Sequence, residues 1–137
     1  MKLIYQELLQ KAHVQKKCAY APYSHFHVGA ILLMKDGTTI GGCNMENAAY
    51  GSTICAERVA IGSAVSQGYK PGDIEAIAIA SSGENFSPCG ACRQVISEFG
   101  HEIKVIFEWN GTVVNETIKE LLNYTFVLEK AGKLVNW

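Results

Sequence analysis

The sequence lacks an excess of charge of either sign and a long apolar run. Its 12 Lys+Arg against 13 Asp+Glu leave a formal net charge of −1, so no basic excess is available to displace counterions from duplex nucleic acid. No stretch approaches the ~18 apolar residues of a membrane span. Gln6, Glu7 and Gln10 also interrupt any run that could form a signal-peptide core. We therefore expect a cytoplasmic protein that binds neither nucleic acid nor membranes, and a small neutral substrate.

The sequence also lacks an even number of cysteines. Five cysteines in a chain without an export signal argue against a disulfide framework and favour metal binding or reactive thiols. The 137 residues, 48% of them hydrophobic and 18% charged, are typical of one folded domain and leave no room for a second. We expect a single domain over residues 1–137.

Hydrophobic spacing predicts four helices and five strands. Apolar residues recur at helical spacing in the first helix, from Ile4 to Ala12. Apolar runs and turn residues place the other elements: strands over 28–34, 38–43, 74–80, 103–107 and 113–114, and helices over 55–67, 89–99 and 116–122. The strand over 74–80 is apolar throughout and should lie in the middle of the sheet. The order predicts an α/β fold, a three-layer α-β-α domain with a mixed, about five-stranded central sheet.

Turn and capping residues set the expected boundaries. Asn110-Gly111 is typical of a tight hairpin turn. Ser52 or Thr53 is available to cap the second helix, and Asn115 to cap the last. Ser87 would cap the third helix, with Pro88 at its first position.

Three cysteines lie at the starts of two predicted helices. Cys89 and Cys92 form a C-x-x-C directly after Pro88, and Cys55 lies two residues before Glu57. Helix N-termini lower thiol pKa values, and the thiolate is the form that binds metal. Three protein ligands without an obvious fourth indicate a catalytic zinc site, one Zn²⁺ per chain, with an open position for water.

Other interpretations of the C-x-x-C exist. Alone, it fits a redox pair or half of a structural zinc site equally well. Glu57 and Pro88 favour the catalytic site, because a Cys or His two residues before a glutamate, followed by Pro-Cys-x-x-Cys, is the signature of zinc deaminases. Glu57 would then transfer protons from water to the ring nitrogen and to the leaving amine. Arg58 lies one helix turn from Cys55, where it either offsets thiolate charge or forms a surface ion pair.

At these residues the sequence resembles the small homotetrameric cytidine deaminases. The resemblance runs from Tyr20 to about Phe126 and includes CAER over 55–58, PCGACRQ over 88–94 and GCNMENAAY over 42–50. It implies a zinc-dependent hydrolase that converts cytidine and deoxycytidine to uridine and deoxyuridine in pyrimidine salvage. It also implies a homotetramer whose neighbouring subunits complete each active site.

The resemblance also assigns substrate contacts. Asn44 and Glu46 are two residues apart after a strand, where they share a face and could be solvated loop residues or hold a sugar hydroxyl. The family holds the ribose with this pair. The family also places Phe26 against the pyrimidine. The Ala56 backbone N–H would contact the base carbonyl, and the Ser87 backbone carbonyl would face the departing amine.

Neighbouring subunits would supply further groups. The resemblance implies that Ala48 and Tyr50 come from an adjacent subunit. Phe126 is a candidate for the aromatic lid over a neighbour's pocket. The sequence departs from the family pattern nearby, because Asn123 follows Leu121-Leu122 where a proline is common.

Alternative functions remain for the same residues. The stretch over 60–65 also resembles blasticidin S deaminases, and a deaminase of modified cytosine nucleosides would use the same chemistry. A noncatalytic zinc-binding interaction domain would explain the three thiols but leaves Glu57 without a task. Polynucleotide deaminases normally begin the signature with histidine and need basic grooves that this composition lacks.

Overall fold

The computed structural model describes residues 2–130 and 133–134. Its main elements are α1 (Leu3–Gln15), β1 (Val28–Met34), β2 (Thr39–Cys43), α2 (Ala56–Ser66), β3 (Ile74–Ser81), α3 (Gly90–Phe99), β4 (Lys104–Trp109), β5 (Thr112–Thr117), α4 (Ile118–Leu121), β6 (Glu129–Lys130) and β7 (Lys133–Leu134). Two 3₁₀ turns, Lys16–Cys18 and Tyr50–Ser52, lie between them. No helix in these ranges is long and apolar enough to cross a membrane.

Strands β1 to β5 form one mixed sheet in the order β2-β1-β3-β4-β5. Strands β3 and β4 are parallel, and the other neighbours are antiparallel. Because parallel neighbours need a crossover, α3 lies between β3 and β4 in the chain. Strand β3 is central and buried at all positions except Glu75, as predicted.

Helices cover both faces of the sheet. On one face, Tyr5, Leu8, Leu9 and Ala12 of α1 pack against Ile31, Leu33, Ala76, Ala78, Ala80 and Ile106. On the other face, α2 and α3 contribute a second cluster that includes Ala60, Ile61, Ala64 and Ile96. Burial of these apolar side chains is the main force that holds the three layers together. The predicted three-layer α-β-α fold with a mixed sheet is confirmed.

Two glycines let helices approach the sheet closely. A Cβ on Gly42 of β2 would lie 2.5 Å from the Ala60 nitrogen and 2.7 Å from the Ala56 oxygen, both in the backbone of α2. A Cβ on Gly29 of β1 would overlap the Ala12 oxygen and the Lys16 nitrogen. Backbone atoms cannot give way as side-chain ends can, so α2 docks on β2 only because residue 42 lacks a side chain.

The predicted helix caps are wrong. Helix α2 begins after Cys55, not after Ser52 or Thr53, and α3 begins after Cys89, so that Ser87 does not cap it. Neither N-cap cysteine makes a side-chain capping bond. Helix α4 is capped by Thr117 and not by Asn115, which belongs to β5.

Candidate metal and active site

Helices α2 and α3 bring three thiols together. Cys55 is the N-cap residue of α2, Cys89 is the N-cap residue of α3, and Cys92 is buried in the first turn of α3. Their Sγ atoms all lie within 4.8 Å of one another. Tetrahedral zinc with Zn–S bonds of ~2.3 Å requires S–S separations of about 3.8 Å. The three thiols therefore fit one Zn²⁺ ion.

The surroundings of Cys55 favour its thiolate. Hydrogen bonding from the Cys92 thiol, together with Arg58, lowers the pKa of Cys55 to about 5. Arg58 Nη2 donates to Cys55 Sγ over 3.5 Å. The same hydrogen bond and burial raise the pKa of Cys92, because that thiol is the donor in the pair. Arg58 thus lies beside Cys55, and its positive charge offsets the negative charge of the Cys55 thiolate.

Glu57 lies in the first turn of α2, between Cys55 and Arg58 in the chain. Its side chain is only 1% exposed. Burial raises the pKa of Glu57 to about 7, which suits a group that must both take up and release a proton near neutral pH. Its Oε1 atom has no hydrogen-bond partner among the described residues. A buried carboxylate oxygen without a hydrogen-bond partner, beside three thiols, is typical of a ligand-binding or catalytic site.

Arg93 lies next to the site, and the sequence did not indicate a role for it. Its Nε and Nη1 donate to the Pro88 and Leu121 carbonyl oxygens, each over 2.7 Å, and Nη2 donates to Ser87 Oγ over 3.3 Å. A basic residue in the first turn of a helix was the available signal, since it faces the unfavourable end of the helix dipole.

The Asn44 amide is committed to the backbone. Its Oδ1 accepts from the Val28 N–H and its Nδ2 donates to the Phe26 carbonyl, both over 2.8 Å. One Nδ2 hydrogen remains for a further bond. Asn44 therefore anchors the segment that carries Phe26, whose ring is 38% exposed and lies 6.2 Å from the Phe86 ring.

The Glu46 carboxylate lines a cavity of its own and is held there by hydrogen bonds. Its Oε1 accepts from the backbone N–H groups of Tyr23 and Ser24 over 3.0 and 3.1 Å, and its Oε2 accepts from the Ser24 hydroxyl. The Ser24 hydroxyl holds the pKa of Glu46 below its usual value. The cavity measures about 270 Å³ and is lined by six residues, Tyr23, Ser24, Glu46, Asn47, Tyr50 and Thr53.

The remaining candidates fall into two groups. Ala56 is the buried first residue of α2, and Ser87 directly precedes Pro88 in the turn held by Arg93, so both lie near the thiols. Ala48, Tyr50 and Phe126 instead face outward, with Tyr50 79% and Phe126 70% exposed. The Phe126 carbonyl accepts from Gln94 Nε2 over 3.1 Å. Tyr50 also lines the cavity that holds Glu46 in its own chain.

Comparison with known proteins agrees with this geometry. Residues 3–108 match the family described as the cytidine and deoxycytidylate deaminase zinc-binding region. The chain is 45% identical over 127 residues to a cytidine deaminase of Halalkalibacterium halodurans, covering 90% of this chain and 95% of that one. It is 40% identical over 128 residues to a blasticidin-S deaminase of Bacillus cereus, covering 87% and 91%. The crystal structure of cytidine deaminase from Burkholderia pseudomallei superposes with a TM-score of 0.85 at 42% identity, covering 92% of this chain and 100% of that chain.

Proposed function

We propose a substrate and a mechanism for this chain, which belongs to the cytidine and deoxycytidylate deaminase family. The chain is a hydrolase of that family, and its reaction replaces the exocyclic amine of cytidine or deoxycytidine by oxygen from water. The products are uridine or deoxyuridine and ammonia. The observation that carries the proposal is the buried Glu57 carboxyl, unpartnered at Oε1, beside three thiols within 4.8 Å of one another.

Cys55, Cys89 and Cys92 would hold the zinc ion. When bound, zinc acts as a Lewis acid that makes water nucleophilic at neutral pH. Three thiolates bring more negative charge than the ion neutralises, which would weaken that acidity. The Arg58 guanidinium on Cys55 and the N-terminal ends of α2 and α3 offset part of the charge.

Glu57 would move the protons. Its Oε1 has no hydrogen bond to break within residues 2–130 and 133–134, so it is available to accept a proton from the attacking water. It would then deliver protons to the ring nitrogen and to the leaving amine. A pKa of about 7 lets the carboxyl accept and return a proton with little cost in either direction.

The substrate contacts form a second part of the proposal. Glu46 would accept a hydrogen bond from a ribose hydroxyl, assisted by the remaining N–H of Asn44. Its fixed orientation on the Tyr23 and Ser24 N–H groups supports this role, since a held carboxylate loses little entropy on binding. Phe26 would pack on the base. The Ala56 N–H and the Ser87 carbonyl would contact the base carbonyl and the leaving amine.

We also propose that four copies of the chain assemble and share their sites. The lining of the cavity beside Glu46 does not include the three thiols or Glu57. Tyr50 and Phe126 present aromatic rings to solvent, where a neighbouring subunit would cover them. In this arrangement Ala48, Tyr50 and Phe126 complete the site of another subunit.

The setting of the reaction follows from the substrate. Conversion of free cytidine to uridine belongs to pyrimidine salvage in the cytoplasm, and we place the protein there. The family match and the structural match, which between them extend over more than nine tenths of the chain, support one catalytic domain over residues 1–137.

Blasticidin S is the second candidate substrate, because a blasticidin-S deaminase is 40% identical to the chain. Its unsaturated, differently substituted sugar lacks the ordinary 3′ hydroxyl pattern. Glu46, held in place for a hydroxyl donor, would then lose a hydrogen bond that cytidine provides. A site arranged to accept a hydrogen bond discriminates against a ligand that lacks the donor, so cytidine is the better match.

A panel of cytidine, deoxycytidine, free cytosine and blasticidin S, followed by ultraviolet absorbance, tests the substrate. We expect strong preference for the two nucleosides. Glu46→Ala should lower kcat/KM for cytidine about tenfold or more, whereas Glu116→Ala, at an exposed position of β5, should leave it unchanged. Faster turnover of blasticidin S than of cytidine, or unchanged kinetics in Glu46→Ala, would reject cytidine recognition through Glu46.

A further inference from the structure

The position of Arg93 needs an explanation. It lies in the first turn of α3, close to the end of the helix where the backbone dipole is positive. A cation is unfavourable there unless other groups compensate. Arg93 is also close in the chain to two candidate zinc ligands, being directly after Cys92 and four residues after Cys89. Its charge therefore has a local cost that something else must outweigh.

The compensation comes from three acceptors on two segments. Nε and Nη2 bind the Pro88 carbonyl and the Ser87 hydroxyl, just before Cys89, and Nη1 binds the Leu121 carbonyl at the end of α4. The planar fork of arginine can make such divergent bonds at once, and a lysine cannot. Arg93 thus ties the turn that leads into Cys89 to an element 28 residues away in the chain.

On the helix side, the Cys89 carbonyl accepts from the Arg93 backbone N–H over 3.0 Å. The Cys89 side chain is exposed, and it makes no side-chain capping bond to its own helix. The next residue, Gly90, is a glycine with open space around the position of a Cβ. On the other side, Pro88 is fully buried, and its carbonyl is the acceptor for Arg93. The peptide between Pro88 and Cys89 is therefore fixed on one side by burial and by Arg93.

We propose that Arg93 is a positioning residue for the zinc site: it holds the Ser87–Pro88 turn so that Cys89 Sγ stays with the other two thiols. It acts through the Pro88 carbonyl and touches neither metal nor substrate. The inference rests on the zinc site of the proposed function but not on the identity of the substrate. Loss of such a supporting bond typically weakens metal affinity 10–100-fold.

Zinc affinity measured by competition with a chromophoric chelator is the test. Arg93→Gln should bind zinc about 10–100-fold more weakly than the parent protein. Arg93→Lys keeps the charge but loses the fork, and we expect it to be weakened as well. In cobalt-substituted protein, both variants should also show altered thiolate-to-cobalt absorption, because one sulfur would no longer be held in place.

Thr117→Ala is the matched control. Thr117 and Glu120 form the capping box of α4, so this variant loosens the element that Arg93 reaches without touching the turn before Cys89. Thr117→Ala should lower Tm yet retain parental zinc affinity. Parental zinc affinity in both Arg93 variants would overturn the positioning role. So would a loss of zinc affinity in Thr117→Ala as large as that of an Arg93 variant with the same Tm. If Arg93→Gln does not fold, Arg93→Lys decides. A parent protein that binds no zinc would instead refute the proposed function.

Discussion

Glu57 is buried, its pKa is raised, and its Oε1 has no hydrogen-bond partner in the part of the chain that the structure describes. Replacement of Glu57 by glutamine keeps the size of the side chain and most of its hydrogen bonds but removes the carboxyl group that takes up and releases a proton. We expect Glu57→Gln to retain zinc and fold and to lose about 10²–10⁴-fold in kcat. Steady-state deamination and metal analysis of the same preparation measure both quantities.

The control for this change is Glu75→Gln. Glu75 lies at the one exposed position of β3, so the same chemical change there should leave kcat at the parental value. Retained turnover in Glu57→Gln would exclude Glu57 as the group that carries protons. Loss of zinc together with activity would show that the variant damages the site and not the proton transfer.

Cys92 is the most buried of the candidate ligands. Cys92→Ala should abolish stoichiometric zinc binding and reduce Tm, because metal binding at such sites is coupled to folding. Cys18→Ala removes a thiol that is exposed and outside the cluster, so it should keep one zinc per chain. Elemental analysis distinguishes the two, and full occupancy in Cys92→Ala would contradict the ligand assignment.

Some residues of the site can be recognised from sequence alone and others cannot. Zinc chemistry demands thiols and a carboxylate at fixed spacings, so Cys55, Glu57 and the C-x-x-C are visible in the sequence. For Arg93 the sequence offers only a basic residue near a helix start, because its hydrogen bond to a carbonyl 28 residues away forms only in the folded chain. The spacing of Asn44 and Glu46 likewise did not predict that their side chains bond to backbone N–H and carbonyl groups. Those hydrogen bonds form only in the folded chain.

At the level of elements, the order of α1 to α4 and β1 to β5 was predictable, and the starts of α1, α2 and α3 lie within one residue of the predicted ones. The capping residues, the start of α4, and strands β6 and β7 were not predicted. Hydrophobic periodicity reports which face is buried, and that survives folding. Asn115 looked like a cap, but pairing of β5 with β4 places Asn115 opposite Ile106 and extends the strand to Thr117. Tertiary pairing therefore overrode a local signal and moved the start of α4 by two residues.

Two glycines allow one substitution to be tested with opposite outcomes. Gly62 lies inside α2 with open space around the position of a Cβ, so Gly62→Ala should raise the free energy of unfolding by about 0.5–1 kcal/mol. Gly111 has φ of 73° in the hairpin between β4 and β5. Gly111→Ala should lower that free energy by roughly 1 kcal/mol or more. Urea denaturation measures both, and equal signs would contradict the backbone argument.

At the scale of the whole molecule, the exposed rings of Tyr50 and Phe126 predict assembly with further copies of the chain. If neighbouring subunits cover Tyr50 and Phe126, light scattering should give the mass of a tetramer. Phe126→Ala should then raise KM for cytidine while Tm stays close to the parental value. Asn123→Ala, in the same segment, is the control and should leave KM unchanged. A monomer that is fully active at nanomolar concentration would contradict shared sites.

The close approach of helices to Gly29 and Gly42 has an evolutionary consequence. Any side chain at either position meets backbone, so no single substitution is accommodated, and escape requires a simultaneous shift of a whole helix. In a saturation library selected for soluble protein, we expect both positions to remain glycine, while Gly62 and Gly90 accept many residues. Proteins that descend from this chain are therefore expected to retain glycine at positions 29 and 42 while the rest of the sequence diverges.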